Sequence, residues 1–155
     1  MDTIEGILPD VPLFEGLSPD QLETIAGCGT NVQFAEGDLL FKDRDPAECF
    51  YVLRHGSVAL ETFVPTRGAV VIETIEAAEV VGWSWLFAPY RWHFDARALS
   101  LVRATSFDGV CLRGKCEADP RLGYDLMSRF AQVMIRRLQW TRLRLLDVYG
   151  DGHRG

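Results

Sequence analysis

The chain has 155 residues, of which 48% are hydrophobic and 25% are charged, and this suits one domain with an apolar core. It contains no run of about 18 consecutive apolar residues, which excludes a membrane span, and its acidic start at residues 1–5 lacks the features of a signal peptide. We therefore expect a cytoplasmic protein. The formal net charge of −6 disfavours general binding to nucleic acid, so we do not expect specific DNA binding.

The cysteine pattern predicts neither a metal site nor a redox motif. Cys28, Cys49, Cys111 and Cys116 match no zinc or redox spacing. We therefore expect four reduced thiols that behave as small hydrophobic side chains in or near the core.

A short helix is predicted near the N-terminus. Ser18 is a suitable N-cap, Pro19 suits the first helical position, and Gln21 completes a capping box. Gly27 is a natural stop. Local chemistry alone predicts this element.

Between residues 31 and 108 the sequence consists of short runs rich in β-branched and aromatic residues, separated by turn residues. A tight hairpin is expected at His55-Gly56, where glycine supplies a positive φ, and a further reversal at residues 65–68. Many short strands at regular spacing indicate a jelly-roll barrel, a double-stranded β-helix, within a mainly β fold with flanking helices. The predicted strands are centred on residues 39–41, 50–53, 57–60, 69–72, 79–81, 96–99 and 104–107.

A long helix is predicted over about residues 120–148, because Asp119-Pro120 forms a second N-cap pair and an apolar pattern then continues unbroken. Two apolar stripes run along it, and two stripes need two surfaces to cover them. We expect one to pack on the barrel of the same chain and the other on a partner helix in a homodimer; the alternative is one broad face on one barrel. The predicted dimer seam comprises Met127, Phe130, Met134, Leu138, Thr141, Leu145 and Val148, and the adjacent stripe comprises Leu126, Val133 and Trp140.

This order of elements, from Leu8 to Gly150, resembles the cyclic nucleotide-binding domains of the catabolite activator and nitrogen-fixation-regulator superfamily. The motifs that carry the resemblance are residues 12–18, the glycine turn at residues 34–38 followed by Phe41, and the hairpin at residues 50–58. The resemblance implies a regulatory domain of about residues 1–150 with its barrel at about 31–108 and no cofactor other than a nucleotide or another small ligand.

In that family the ligand lies in a phosphate-binding cassette, where a glycine turn leads into a short helix and then a strand. Backbone N–H groups at the helix start meet the cyclic phosphate, a glutamate binds the ribose hydroxyl, and an arginine neutralises the phosphate. The matching stretch here runs without a gap from Gly82 to Ala98. Trp83 takes the place of the glutamate and Trp92 that of the arginine.

Losing both polar anchors predicts that cyclic AMP and cyclic GMP bind at least about a thousandfold more weakly. Three interpretations of the tryptophans stay open. The rings of Trp83, Trp85 and Trp92 fill the old pocket themselves, or they form an aromatic floor for a different planar or cationic ligand, or Arg91 replaces the lost arginine and a nucleotide still binds.

The remaining candidate ligand-binding residues lie beside these. Gly82 and Ser84 begin the cassette, while His93 and Asp95 could donate or accept hydrogen bonds there or form a structural pair at a strand start. Thr141 is the polar member of the helix seam and falls at the place of a base-contacting threonine in catabolite activators, so it either contacts a ligand or sets helix register.

Residues 146–150 resemble the hinge that leads into a helix-turn-helix domain in the transcription factors, and we expect residues 151–155 to be a disordered tail rather than a DNA-binding domain. The leading hypothesis is a non-enzymatic dimeric sensor that reports to an unidentified protein partner and binds a non-canonical small ligand or none. The alternative is a purely structural interaction module with a plugged pocket. Catalysis and metal binding are not expected, because three histidines without a His-x-His pair do not suit a jelly-roll metalloenzyme.

Overall fold

A computed structural model describes residues 3–152, with side chains placed for residues 3–147. The described residues form eight strands and four α-helices, with short 3-10 helices between them. The helices are α1 (Ile4–Ile7), α2 (Pro19–Ala26), α3 (Gly109–Ala118) and α4 (Pro120–Gly152). The strands are β1 (Gly29–Phe34), β2 (Leu39–Phe41), β3 (Cys49–His55), β4 (Val58–Val64), β5 (Gly68–Ile75), β6 (Val80–Val81), β7 (Asp95–Ala98) and β8 (Val102–Asp108).

The strands build two four-stranded sheets, ordered β1-β8-β3-β6 and β2-β7-β4-β5, in which every neighbouring pair is antiparallel. The two sheets face each other, and helices cover the outer face of the first sheet. This confirms the predicted mainly β jelly roll with flanking helices.

Strand β3 shows how the sequence builds two cores. Phe50 and Val52 point into a core shared with the helices, whereas Tyr51 and Leu53 point into the barrel between the sheets. Both faces are buried because successive strand side chains alternate in direction and each face has a layer against it. We refer to these as the helix-side core and the barrel core.

The capping residues act as the sequence predicts. Ser18 accepts a hydrogen bond from the Gln21 backbone N–H at 3.2 Å, and the Gln21 side chain accepts from the Ser18 N–H at 3.0 Å. The helix α4 begins at Pro120 as expected, but it continues to Gly152, beyond the predicted end near residue 148. Asp151 and Gly152 are thus helical rather than part of a disordered tail, and residues 153–155 lie outside the described part of the chain.

The cysteine prediction is wrong for one pair. Cys28 and Cys111 form a disulfide with their Cα atoms 5.9 Å apart, although 83 residues separate them along the chain. Antiparallel pairing of β1 with β8 brings them together, and the Asp108 N–H donates to the Cys28 carbonyl at 2.9 Å. Cys49 and Cys116 are free and half-buried, and burial raises the pKa of both thiols.

Candidate functional site

The segment that matches the cassette, residues 82–98, begins with a glycine turn directly after β6. Gly82 has φ +95°, a value that suits glycine, and Ser84–Leu86 then form one 3-10 turn. The chain crosses the mouth of the barrel and returns as β7. The predicted order of turn, short helix and strand is therefore present.

Trp92 occupies the barrel interior beneath this turn. Its side chain is only 3% exposed, and its ring stacks on Phe41 with centroids 3.7 Å apart and an interplanar angle of 7°. A Cβ on Gly82 would lie 2.6 Å from the indole ring, so the turn rests directly on the ring. Backbone hydrogen bonds fix the position: the Trp92 N–H donates to Asp45, and the Trp92 carbonyl accepts from Arg44.

Trp85, predicted as a ligand-binding residue, lies in a different core from Trp92. The residue is fully buried in the helix-side core, where its ring lies 5.0 Å from that of Phe50 and 5.5 Å from that of Phe130. The end of the 3-10 turn and a loop separate the two residues and redirect the chain, so Trp85 faces the helices while Trp92 faces the barrel. Ser84 is also buried.

Trp83 joins the cassette to α4. The Arg137 guanidinium lies over its ring, 5.2 Å from the centroid, a cation–π contact. Arg137 also donates to the Val80 carbonyl, and its Nε is 3.5 Å from the Glu73 carboxylate. Desolvation lowers the pKa of Arg137, and the nearby carboxylates of Glu73 and Glu79 oppose that shift.

Sequence reasoning did not single out Arg137 as a site residue. Its spacing of seven residues from the buried Phe130 places both side chains on the same face of α4 and is the signal that could have found it. Arg113 is a second such residue, since it donates to the Trp85 carbonyl and lies 4.2 Å from the Tyr90 ring centroid. Two arginines thus hold the cassette against α3 and α4.

The other predicted ligand residues do not converge on the barrel interior. Arg91 is exposed, and its Nη1 donates to the Arg44 carbonyl at 3.3 Å. His93 is exposed, while Asp95 accepts from the Asp43 backbone N–H at 2.7 Å and therefore has a structural partner. Thr141 is exposed and donates to the Arg137 carbonyl at 2.9 Å within its own helix.

Helix α4 has one face on its own barrel, as predicted, but the division of residues differs. Leu126 and Val133 are buried against the helix-side core, whereas Trp140 is 58% exposed. Phe130, predicted to lie in the dimer seam, is completely buried against Phe50 and Trp85 in its own chain. One residue of register on a helix is about 100° of rotation, enough to move a side chain from one face to the next.

The other described apolar side chains of the predicted seam are exposed or half-buried. Met127, Leu138 and Leu145 are 41%, 52% and 54% exposed, and Met134 is half-buried against the helix-side core. The side chain of Val148, the last predicted seam residue, lies outside the described part of the chain.

Within residues 3–152, no helix is both long and apolar enough to cross a membrane. The described side chains also contain no group of three or more histidine, cysteine, aspartate or glutamate residues placed to hold a metal ion.

A jelly roll whose cassette faces a long C-terminal helix is the architecture of a nucleotide-sensing regulatory domain. The family model described as the cyclic nucleotide-binding domain matches residues 31–119, more than half of the chain. The protein belongs to the cyclic nucleotide-binding domain family.

Regulators and regulatory domains stand among its relatives. The chain is 23% identical over 145 residues to the CRP-like cAMP-activated global transcriptional regulator of Mycobacterium tuberculosis (strain CDC 1551 / Oshkosh), an alignment that covers 94% of this chain and 63% of the relative. The chain thus spans less than two thirds of that regulator's length.

Two solved structures show the same fold. A candidate cyclic nucleotide-binding protein from Geobacter metallireducens GS-15 superposes with a TM-score of 0.79 at 29% identity, covering 89% of this chain and 99% of that one. The N-terminal domain of a transcriptional regulator from Streptomyces coelicolor A3(2) superposes with a TM-score of 0.70 at 25% identity, covering 84% of this chain and 93% of that one.

Proposed function

We propose that this chain is a non-enzymatic regulatory module of the cyclic nucleotide-binding family in which Trp92 occupies the ligand site of the barrel. The observation that carries the proposal is the position of that ring, 3% exposed and stacked on Phe41 directly beneath Gly82. In this proposal cyclic AMP does not activate the chain, unlike the mycobacterial relative whose name records such activation.

The energetic case has two parts. A hydrogen bond to a charged group contributes about 1.5–3 kcal/mol, so loss of the two anchors costs roughly 3–6 kcal/mol and weakens binding by about a thousandfold at the middle of that range. A nucleotide would also have to displace the Trp92 ring from the barrel core, and exposing a buried aromatic side chain costs about 3 kcal/mol. Both terms act against the ligand that the family ordinarily binds.

The test is calorimetry with cyclic AMP and cyclic GMP on four proteins: wild type, Trp83→Glu, Trp92→Arg and the double variant. We expect wild type to bind more weakly than about 1 mM and the double variant to gain measurable affinity, because both anchors return and the barrel is emptied of its indole. Each single variant should gain less, since one anchor leaves the other polar group of the ligand unmatched.

Micromolar binding by wild type would contradict the proposal. It would favour the alternative in which a side chain such as Arg91 neutralises the phosphate. Arg91 gives that alternative little support at present, because its guanidinium already donates to the Arg44 carbonyl at the surface.

We further propose that α4 mediates a homodimer that reports to a separate protein. Support comes from the solvent-exposed apolar side chains along one side of the helix, since a surface helix ordinarily keeps its apolar stripe covered. The exposed set is Tyr124, Met127, Ile135, Leu138, Leu145 and Leu146.

Contacts between α4 and the cassette provide a route by which assembly and the barrel affect each other. Phe130 touches Trp85 within the 3-10 turn, and Arg137 touches Trp83 directly before it, so a shift of α4 moves the start of the cassette. A dimer that favours one position of α4 then favours one position of the cassette.

A further inference from the structure

A cavity of about 700 Å³ lies between α4, β5 and the chain segment that enters β6. This volume is within the range of small-molecule sites, which is about 300–1,000 Å³. No residue of the cassette lines it. The cavity therefore differs from the place that Trp92 occupies.

Arginines of α4 form the polar wall of the cavity. Arg136, Arg137 and Arg144 line it, against two acidic residues, Glu73 and Glu79, so the wall carries one net positive charge. Arg137 is paired with Glu73, whereas no ion pair among the described residues involves Arg136 or Arg144.

The buried arginine has unused hydrogen-bonding capacity. The Arg137 side chain is 10% exposed, and its Nη1 has no hydrogen-bond partner among the described residues. Arg144 donates to the Ile72 carbonyl at 2.5 Å and so links α4 to β5 at this cavity. Buried donors of this kind ordinarily have a partner, and an anion would supply one.

Much of the remaining wall is apolar. Trp140 is 58% exposed and lines the cavity with Leu13, Val71, Val80 and Val133. An exposed indole beside aliphatic side chains suits a flat apolar ring.

We propose that this cavity binds a small aromatic carboxylic acid as its monoanion. The carboxylate lies at the arginines of α4, where Arg136 is available, and the ring lies against Trp140. One negative charge matches the single net positive charge of the wall, whereas Glu73 and Glu79 repel a more highly charged anion. Binding would tie α4 to β5 and so stabilise the docked position of the helix. The proposal goes beyond the function proposed above and uses none of its residues in the barrel.

The test uses 2-naphthoate as the probe and 2-naphthamide as its neutral match, with calorimetry on the full 155-residue chain. We expect one site per chain for 2-naphthoate with a dissociation constant below about 1 mM, and at least about tenfold weaker binding of the amide. Arg136→Gln and Trp140→Leu should each weaken naphthoate binding at least about fivefold, because one removes the available charge and the other the flat apolar surface.

Arg142→Gln is the matched control, since it removes a charge from an exposed position of the same helix that does not line the cavity. It should leave the affinity unchanged. Absence of naphthoate binding at about 5 mM, roughly five times the highest dissociation constant that the proposal allows, would overturn the proposal. Equal binding of acid and amide, or affinities that the two cavity variants leave unchanged, would overturn it as well. None of these results depends on whether cyclic nucleotides bind in the barrel.

Discussion

Replacing Trp92 with alanine measures how far the barrel depends on its own indole. The ring is 3% exposed and stacked at 3.7 Å on Phe41, so the substitution removes a buried aromatic side chain and its stacking contact with Phe41. Tryptophan-to-alanine changes in cores cost about 3–5 kcal/mol, and an aromatic pair contributes about 0.5–1.5 kcal/mol beyond its buried area. We expect a loss of about 4–5 kcal/mol in the free energy of unfolding.

Urea denaturation followed by circular dichroism gives this number. With a typical slope of about 2 kcal/mol per molar urea, the midpoint should fall by about 2 M. Trp140→Ala is the matched control, because its side chain is 58% exposed, and we expect it to cost less than about 1 kcal/mol.

Indole supplies a second readout on the same proteins. It should enter the cavity that Trp92→Ala leaves and stabilise that variant by about 1.4 kcal/mol at ten times its dissociation constant, while leaving wild type unchanged. A loss below about 1.5 kcal/mol, with no difference between the two proteins in indole, would refute the argument that Trp92 fills the barrel.

Three further changes test other contacts. Leu138→Glu buries a charge in the proposed α4 seam and should convert dimers to monomers, as measured by light scattering. Gln132→Glu, on another face of the helix, is the control and should leave the dimer intact. A wild type that is monomeric at tens of micromolar, roughly the working range of weak dimers, would count against the seam. Replacing Cys28 and Cys111 with serine should lower the free energy of unfolding by about 2–4 kcal/mol, measured against wild type with and without reductant. Gly82→Ala should cost about 2–4 kcal/mol in urea melts, because its φ is +95° and the new methyl group meets an indole ring at 2.6 Å; a change below about 1 kcal/mol would show that the turn can move.

The sequence by itself determined the elements whose causes are local. The capping residues of α2 and the Asp119-Pro120 start of α4 act through neighbours a few positions away, so their patterns are readable in one dimension. The short β-branched runs and glycine turns likewise predicted the order of strands, and with it the jelly roll. The resemblance to the family placed the cassette at residues 82–98, where the structure has a glycine turn, a 3-10 turn and a strand.

Only the tertiary structure decided which layer each aromatic side chain faces. Trp85 and Trp92 are seven residues apart and equally apolar, yet one packs on Phe130 and the other on Phe41, because a 3-10 turn and a loop between them redirect the chain. The burial of Phe130 in its own chain has a related reason. Two apolar stripes on one helix do not by themselves show which of them packs on the barrel.

The same limit applies to contacts between distant segments. The Cys28–Cys111 disulfide depends on the pairing of β1 with β8, and the pairing of Arg137 with Glu73 depends on where α4 lies against β5. Such contacts join residues dozens of positions apart and leave no spacing pattern. They are set by sheet register and helix docking, which arise from the packing of the whole chain.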